Sequence, residues 1–172
     1  MTARVGKMEK NIETMLVERL INKRMTIASC ESCTGGLISK RITDVSGASE
    51  VFGYGLCTYA NDAKMKLLGV KSDTLEKYGA VSEAVAKEMA MGLLKLSGAD
   101  IAISTTGIAG PTGGTPEKPV GLVYTAIAAK DGYIFCKKLL LCRDGMLDRG
   151  SVRSLAADEA LSLAAEYLER IS

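Results

Sequence analysis

Apolar positions along the chain change their spacing several times, and each change marks an element. Ile12, Met15, Leu16 and Leu20 recur at steps of three and four, which predicts an amphipathic helix from Met8 to Lys23. "MTIASC" (25–30) follows as a short β-prone strand. Past a glycine pair, Leu37, Ile38, Arg41, Ile42 and Val45 define a second helical face. "EVFGYGLCTYA" (50–60) is again rich in β-formers, and its glycines predict irregularity or close backbone approach. Asn61 then reads as the N-cap of a short helix that ends near Gly69.

Ser82 caps a longer helix to about Leu96, with Val85, Met89 and Leu93 inward and Gly98 closing it. "DIAISTTG" (100–107) reads as a buried strand, and "IAGPTGGTPEKP" follows as a loop punctuated by Gly-Pro and Gly-Gly. Two strands, 120–129 and 133–141, flank "KDG", a hairpin signal. A last helix runs from about Leu147 to Arg170. Strands alternating with helices, then a hairpin, predict a three-layer α/β/α sandwich. Its sheet should be mixed, with the hairpin supplying the antiparallel part. No internal repeat or low-complexity linker divides the chain, so residues 1–172 are expected to form one domain.

Charge removes some partners. The 22 basic and 20 acidic side chains leave a formal charge of +2, which gives no support for nucleic acid or a membrane surface. No apolar run is long enough to span a bilayer, and "MTARVGKMEKNIETM" holds no apolar signal core, so a cytoplasmic location is expected. Histidine is absent, which removes Ser-His-Asp and Cys-His mechanisms and histidine-ligated zinc. If the chain is an enzyme, another residue must act as base. Five cysteines, at 30, 33, 57, 136 and 142, make a poor disulfide framework because their number is odd and their spacing uneven.

Ligand sites in open α/β sheets lie outside the carboxyl ends of strands. Two glycine-threonine loops leave apolar strands here: "CESCTGG" (30–36) and "TGIAGPTGGTP" (106–116). Glycine lets backbone amides approach an anion, and a helix start adds positive potential. Ordinary turn chemistry accounts for the same residues. Neither loop fits the P-loop or the G-x-G-x-x-G pattern.

Within "CESCTGG" three readings compete. Ser32 or Thr34 caps the helix that begins near Gly35. Alternatively, Ser32 is a nucleophile beside N–H groups that stabilise an oxyanion. Or Cys30 and Cys33 form a thioredoxin-like redox pair, with no second C-x-x-C to complete a zinc site. A serine nucleophile needs a base, and Lys64 is the candidate. Counted from Asn61, it falls at the third helical position, where acids are favoured. Such departures mark functional or strained sites. The same field, with desolvation, would lower its pKa. The competing reading is a solvated surface lysine. Tyr59 either orients or relays a proton, or it packs as an amphipathic ring. Arg149, in "LDRGSVR", pairs with a phosphate or carboxylate, or is a solvated charge.

Five segments together resemble the CinA family, meaning the C-terminal domain of competence- and damage-inducible CinA proteins, also found as a stand-alone nicotinamide-nucleotide amidase. They are "ESCTGG" (31–36), "TYANDAK" (58–64), "YGAVSEAVAKEMA" (78–90), "TTGIAGPTGGTPEKPVG" (105–121) and "DRGSVR" (148–153). In full-length CinA proteins a larger N-terminal domain accompanies this one, and these 172 residues are expected to lack it. The resemblance implies hydrolysis of nicotinamide mononucleotide to nicotinic acid mononucleotide and ammonia, with no metal and no cofactor. It implies Ser32 as nucleophile and Lys64 as base, joined by Tyr59, Thr106 and Arg149. With the resemblance in view, Thr34 is assigned to the cap and the substrate-binding turn, and Gly35 and Gly36 are expected to bring backbone amides to the ligand. Gly107, Gly110, Thr112, Gly113 and Gly114 are expected to receive the phosphate, together with Arg149. The cysteines are expected mostly to pack. A homo-oligomer acting on a small nucleotide is expected. Three positions depart from the family pattern: Cys30 stands where alanine is usual, Ala60 where serine is, and Tyr78 where histidine is. The rival expectation is a nucleotide-sensing or partner-binding module that kept the pocket and lost turnover.

Overall fold

The computed structural model describes residues 11–142 and 145–172. The first three residues of the expected opening helix, 8–10, lie outside them. In chain order the elements are α1 (Ile12–Lys23), β1 (Ile27–Glu31), α2 (Leu37–Thr43), a 3₁₀ turn (Ala48–Glu50), β2 (Phe52–Cys57) and α3 (Asn61–Leu68). There follow α4 (Ser72–Tyr78), α5 (Glu83–Ser97), β3 (Ile101–Gly107), β4 (Leu122–Ala129), β5 (Ile134–Leu140) and α6 (Arg149–Arg170).

The strands form one sheet in the order β2-β1-β3-β4-β5. β1 pairs in parallel with β2 and β3, while β4 and β5 add as an antiparallel hairpin. The sheet is therefore mixed, as the sequence predicts. β1 has a strand on each side and helices over both faces, so all of its residues are buried. That is why "IASC" reads as a run of small and apolar residues without alternation.

Alternate strand residues feed two cores. Ile27, Ile101, Ile103 and Ile127 pack with Leu16 and Leu20 of α1, Ile38 and Ile42 of α2, and Leu161 and Leu168 of α6. Ala28, Cys30 and Ala102 turn the other way, against Leu68 of α3 and Val85, Met89 and Leu93 of α5. Ala126 and Ala128 of β4 meet Ala86 and Ala90 of α5, small residues on both sides of the contact. Helices on each face of the central sheet complete the α/β/α layers.

Several boundaries differ from the sequence reading. The cap of α3 is Ala60, not Asn61, since Ala60 is extended and its carbonyl accepts from the Lys64 N–H. Lys64 thus occupies the fourth helical position rather than the third. α2 begins at Leu37 and stops at Thr43, so Val45 lies in the turn beyond it. α6 starts at Arg149 because the Asp148 side chain accepts from the Ser151 N–H. The β-rich segment 50–60 pairs only over Phe52–Cys57, its start being taken by the 3₁₀ turn. α4 has no counterpart in the sequence reading: none of its side chains is buried, so it writes no apolar period. Ser82 and Gly98 bound α5 as expected.

Candidate active site

Because β1, β2 and β3 are parallel, their carboxyl ends open at one edge of the sheet, where α/β proteins place ligands. Ser32 is the first residue past β1, and its N–H donates to the Thr105 carbonyl of β3 at 3.0 Å. Thr58 and Tyr59 leave β2, and the Thr58 N–H donates to the Glu31 carbonyl at 2.9 Å. The chain then enters α3, which turns Lys64 back beneath both segments.

Lys64 is only 1% exposed, although it is a lysine on an eight-residue helix. Its Nζ donates to the carbonyls of Thr58 at 2.9 Å and Tyr59 at 3.1 Å, and lies 3.2 Å from Ser32 Oγ. All of these partners are neutral. Burial accordingly pulls its pKa below the ordinary lysine value. The sequence reading gave part of that role to the helix-start field; desolvation is the principal cause in the structure. The partner set also orients the amine. When neutral, its two N–H groups satisfy the two carbonyls, and its lone pair is left facing the Ser32 hydroxyl.

The turn after Ser32 departs from expectation in two ways. Thr34 does not cap α2: its buried hydroxyl lies 2.7 Å from Thr105 Oγ1. Gly36 is the cap residue and makes no side-chain bond, while Glu31 supplies the acceptors from upstream. Nor do the glycine amides reach outward. Gly35 N–H donates to the Ser32 carbonyl and Gly36 N–H to the Glu31 carboxylate. The N–H groups of Cys33 and Thr34 have no oxygen acceptor among the described residues; both face the Cys33 sulfur, which borders the cleft. Gly35 and Gly36 serve conformation instead, with φ of 59° and 94°. A Cβ on Gly35 would also stand 3.2 Å from the Arg153 guanidinium.

Cys33, Tyr59, Gly107, Gly110, Thr112, Gly113 and Arg149 line a cleft of about 230 Å³ together with Ile108 and Ala109. A wider hollow of about 480 Å³ lies along Pro111–Pro116 and includes Gly114 and Met146. Thr112 and Gly113 border both, so Gly114 sits on the hollow side of the loop. The smaller cleft has the proportionally more polar lining, and Cys33 and Tyr59 on its wall adjoin Ser32 and the Lys64 partners. Arg149 crosses it, donating to the Gly110 carbonyl at 2.8 Å and the Tyr59 hydroxyl at 2.9 Å. Neither partner is charged. Tyr59 meets Lys64 through its backbone carbonyl, and the residue is 59% exposed. Thr106 turns its hydroxyl away, to the Ala80 carbonyl at 2.8 Å, which ties the connection between α4 and α5 to β3. Gly107 is needed for packing, since a Cβ there would lie 2.6 Å from Val123.

Three residues of the site were not singled out from the sequence: Glu31, Thr105 and Arg153. Arg153 donates to the Thr34 carbonyl at 2.6 Å and so ties α6 to the Ser32 turn. Its signal was present in "DRGSVR", one helical turn after Arg149, but its partner lies 119 positions away. The C-x-x-C pair is a pair of free, buried thiols. Burial pushes the Cys30 thiol up strongly and the Cys33 thiol to about 11, the opposite of a reactive redox pair.

An α/β sandwich that brings a buried lysine to a serine at the carboxyl end of its first strand defines the class of protein. The chain belongs to the CinA C-terminal domain family, whose model matches residues 9–168. It is 51% identical over 160 residues to a competence-damage inducible protein of Thermoanaerobacter pseudethanolicus, covering 93% of this chain and 38% of the relative. A CinA-like protein of Chlorobaculum tepidum is 59% identical over 122 residues, which is 71% of this chain and 29% of that relative. The chain thus spans well under half the length of these curated relatives. The solved structure of the competence/damage inducible protein CihA of Agrobacterium tumefaciens superposes with a TM-score of 0.85 at 38% identity, covering 93% of this chain and 97% of that one. A CinA superfamily protein of Klebsiella pneumoniae does so at 0.86 and 32%, covering 92% and 96%.

Proposed function

We propose that this chain is an amidohydrolase that converts nicotinamide mononucleotide to nicotinic acid mononucleotide and ammonia. The observation that carries the proposal is the contact of the buried Lys64 amine, which has no charged partner among the described residues, with Ser32 Oγ at 3.2 Å. The carboxamide substrate is the one that resemblance to CinA-type amidases implies.

Ser32 Oγ attacks the carboxamide carbon while its proton passes to Lys64 Nζ. The N–H groups of Cys33 and Thr34 hold the developing oxyanion, since the other amides of the turn are already engaged. Collapse breaks the C–N bond, and Lys64 returns the proton to the leaving nitrogen, releasing ammonia. Water then attacks the Ser32 ester with Lys64 again as base, which frees the carboxylate and restores the serine. Arg149 and the glycine loop take the phosphate: among the described residues the guanidinium's hydrogen-bond partners are neutral, so an anion gains a charge-assisted bond there. A homo-oligomer remains part of the reading.

Incubation of the purified protein with nicotinamide mononucleotide, with ammonia measured, tests it. Stoichiometric ammonia and nicotinic acid mononucleotide are expected from the wild type and not from Ser32→Ala. Tight binding of the mononucleotide without any release would leave a sensing module instead.

A further inference from the structure

Glu31 is fully buried at the carboxyl end of β1, one residue before the nucleophile. Its Oε2 accepts from the N–H groups of Gly36 and Ile38, each at 3.0 Å. Its Oε1 accepts from the Ser39 N–H and the Ser39 hydroxyl, each at 2.8 Å. Four donors and no acceptor face it, which is the environment of a carboxylate. The remaining amide at this helix start, that of Leu37, donates to the Thr34 carbonyl. The orphan donors of α2 are thus consumed from inside the protein.

Neighbouring residues are shaped around this arrangement. Ser29 Oγ lies 2.9 Å from Ser39 Oγ and continues the buried polar chain. Gly55 of β2 leaves the room it needs, since a Cβ there would stand 2.5 Å from Ser39 Oγ. A carboxylate cap reaching from a strand to a helix start closes the segment 32–36 at both ends. It also puts negative charge where a helix start would otherwise draw an anion, so the substrate phosphate is turned away from α2.

We infer that Glu31 is a positioning residue: by holding the first N–H groups of α2, its buried carboxylate fixes the turn that aims the Cys33 and Thr34 N–H groups at the carbonyl attacked by Ser32. The inference rests on the Ser32 nucleophile proposed above. Loosening the cap leaves Ser32 and Lys64 in place and displaces the oxyanion donors, and loss of one such donor costs about 10²–10³ in rate.

The test is the rate at which a fluorophosphonate phosphonylates Ser32, followed by peptide mass spectrometry. In that reaction the serine Oγ–P bond forms, fluoride leaves, and the phosphonyl oxygen occupies the oxyanion position. Labelling of Glu31→Gln is expected to be at least about tenfold slower than wild type. Its Kd for nicotinic acid mononucleotide, by calorimetry, should stay within about threefold, because the phosphate is held at the other loop. A folded Glu31→Gln protein that is labelled at the wild-type rate, with only its melting temperature lowered, overturns the inference and leaves Glu31 a plain helix cap. If Glu31→Gln does not fold, Ser39→Ala removes the hydroxyl donor alone and is expected to slow labelling by an intermediate factor; a wild-type rate there overturns the inference as well. Absence of any label on Ser32 in the wild type overturns the nucleophile reading itself, and the two failures are thereby told apart.

Discussion

Helix α5 crosses α3 at Gly92, where a Cβ would stand 1.8 Å from the carbonyl oxygen of Leu68. The obstructing atom is backbone, so no side chain can swing aside. α3 also carries Lys64, whose Nζ reaches Ser32 Oγ at 3.2 Å. A glycine on the far helix therefore sets how deeply the helix that carries Lys64 is seated.

Gly92→Ala is expected to force α3 outward and to destabilise the fold by about 1–3 kcal/mol or more, the usual cost of overpacking. Turnover should fall further than the folded fraction does, because the Lys64 to Ser32 contact is stretched. Urea denaturation alongside kcat at a temperature where both proteins are folded checks this. Wild-type stability in Gly92→Ala would show that the crossing tolerates a methyl.

Tyr59 separates two roles that the sequence left joined. Its carbonyl holds Lys64, and its hydroxyl holds Arg149. Tyr59→Phe keeps the first contact and removes the second. KM for the mononucleotide is expected to rise several-fold with kcat within about threefold, the pattern for loss of ground-state binding. A large loss of kcat with KM unchanged would instead assign the phenol a part in proton transfer.

Much of this site was legible in the sequence, for local reasons. Apolar runs bounded by glycine marked the strands, and the loops after them held Ser32 and the glycine-rich segment. Lys64 stood out only by its odd place near a helix start, which a surface lysine explains equally well; the CinA resemblance singled it out, and Asn61 drew the cap one residue too late. What escaped were contacts with no short spacing. Glu31 caps a helix from the preceding strand, outside the usual three-residue pattern. Thr34 looked like that cap, but its hydroxyl is taken by Thr105, 71 positions on. The Cys30–Cys33 spacing pointed to redox chemistry, and only burial reveals two inert thiols.

Burial of Lys64 is also a statement about stability. Its folded pKa is lowered, while the unfolded chain keeps the ordinary value of about 10.4. Below the folded value both states carry the proton, and stability does not depend on this group. Between the two values the unfolded chain binds a proton that the native protein does not, so stability rises with pH. Relative to Lys64→Met, the wild type is expected to gain up to about 1.4 kcal/mol per pH unit inside that window. Any constant cost of leaving the Thr58 and Tyr59 carbonyls without a donor cancels from this slope. Paired denaturation curves across alkaline pH measure it, and a flat difference would mean that Lys64 titrates as an exposed lysine does.

The dyad itself makes the sharpest claim. Only neutral Lys64 can take the Ser32 proton, so kcat/KM is expected to rise with pH and level off at a value below the ordinary lysine pKa of about 10.4. Ser32→Ala should abolish turnover and still bind the mononucleotide, because the proposed phosphate site on the loop and Arg149 is left untouched. Lys64→Ala should lose turnover comparably. The double variant should be little worse than either single one, since groups that act as a unit do not contribute additively. Lys64→Arg cannot rescue: guanidinium stays protonated, and no lone pair is left for the serine proton. Turnover should also persist after exhaustive chelation, the base being an amine. Ammonia release by Lys64→Arg at near wild-type rate, or by Ser32→Ala, would overturn the Ser-Lys mechanism even if the amidase activity stood.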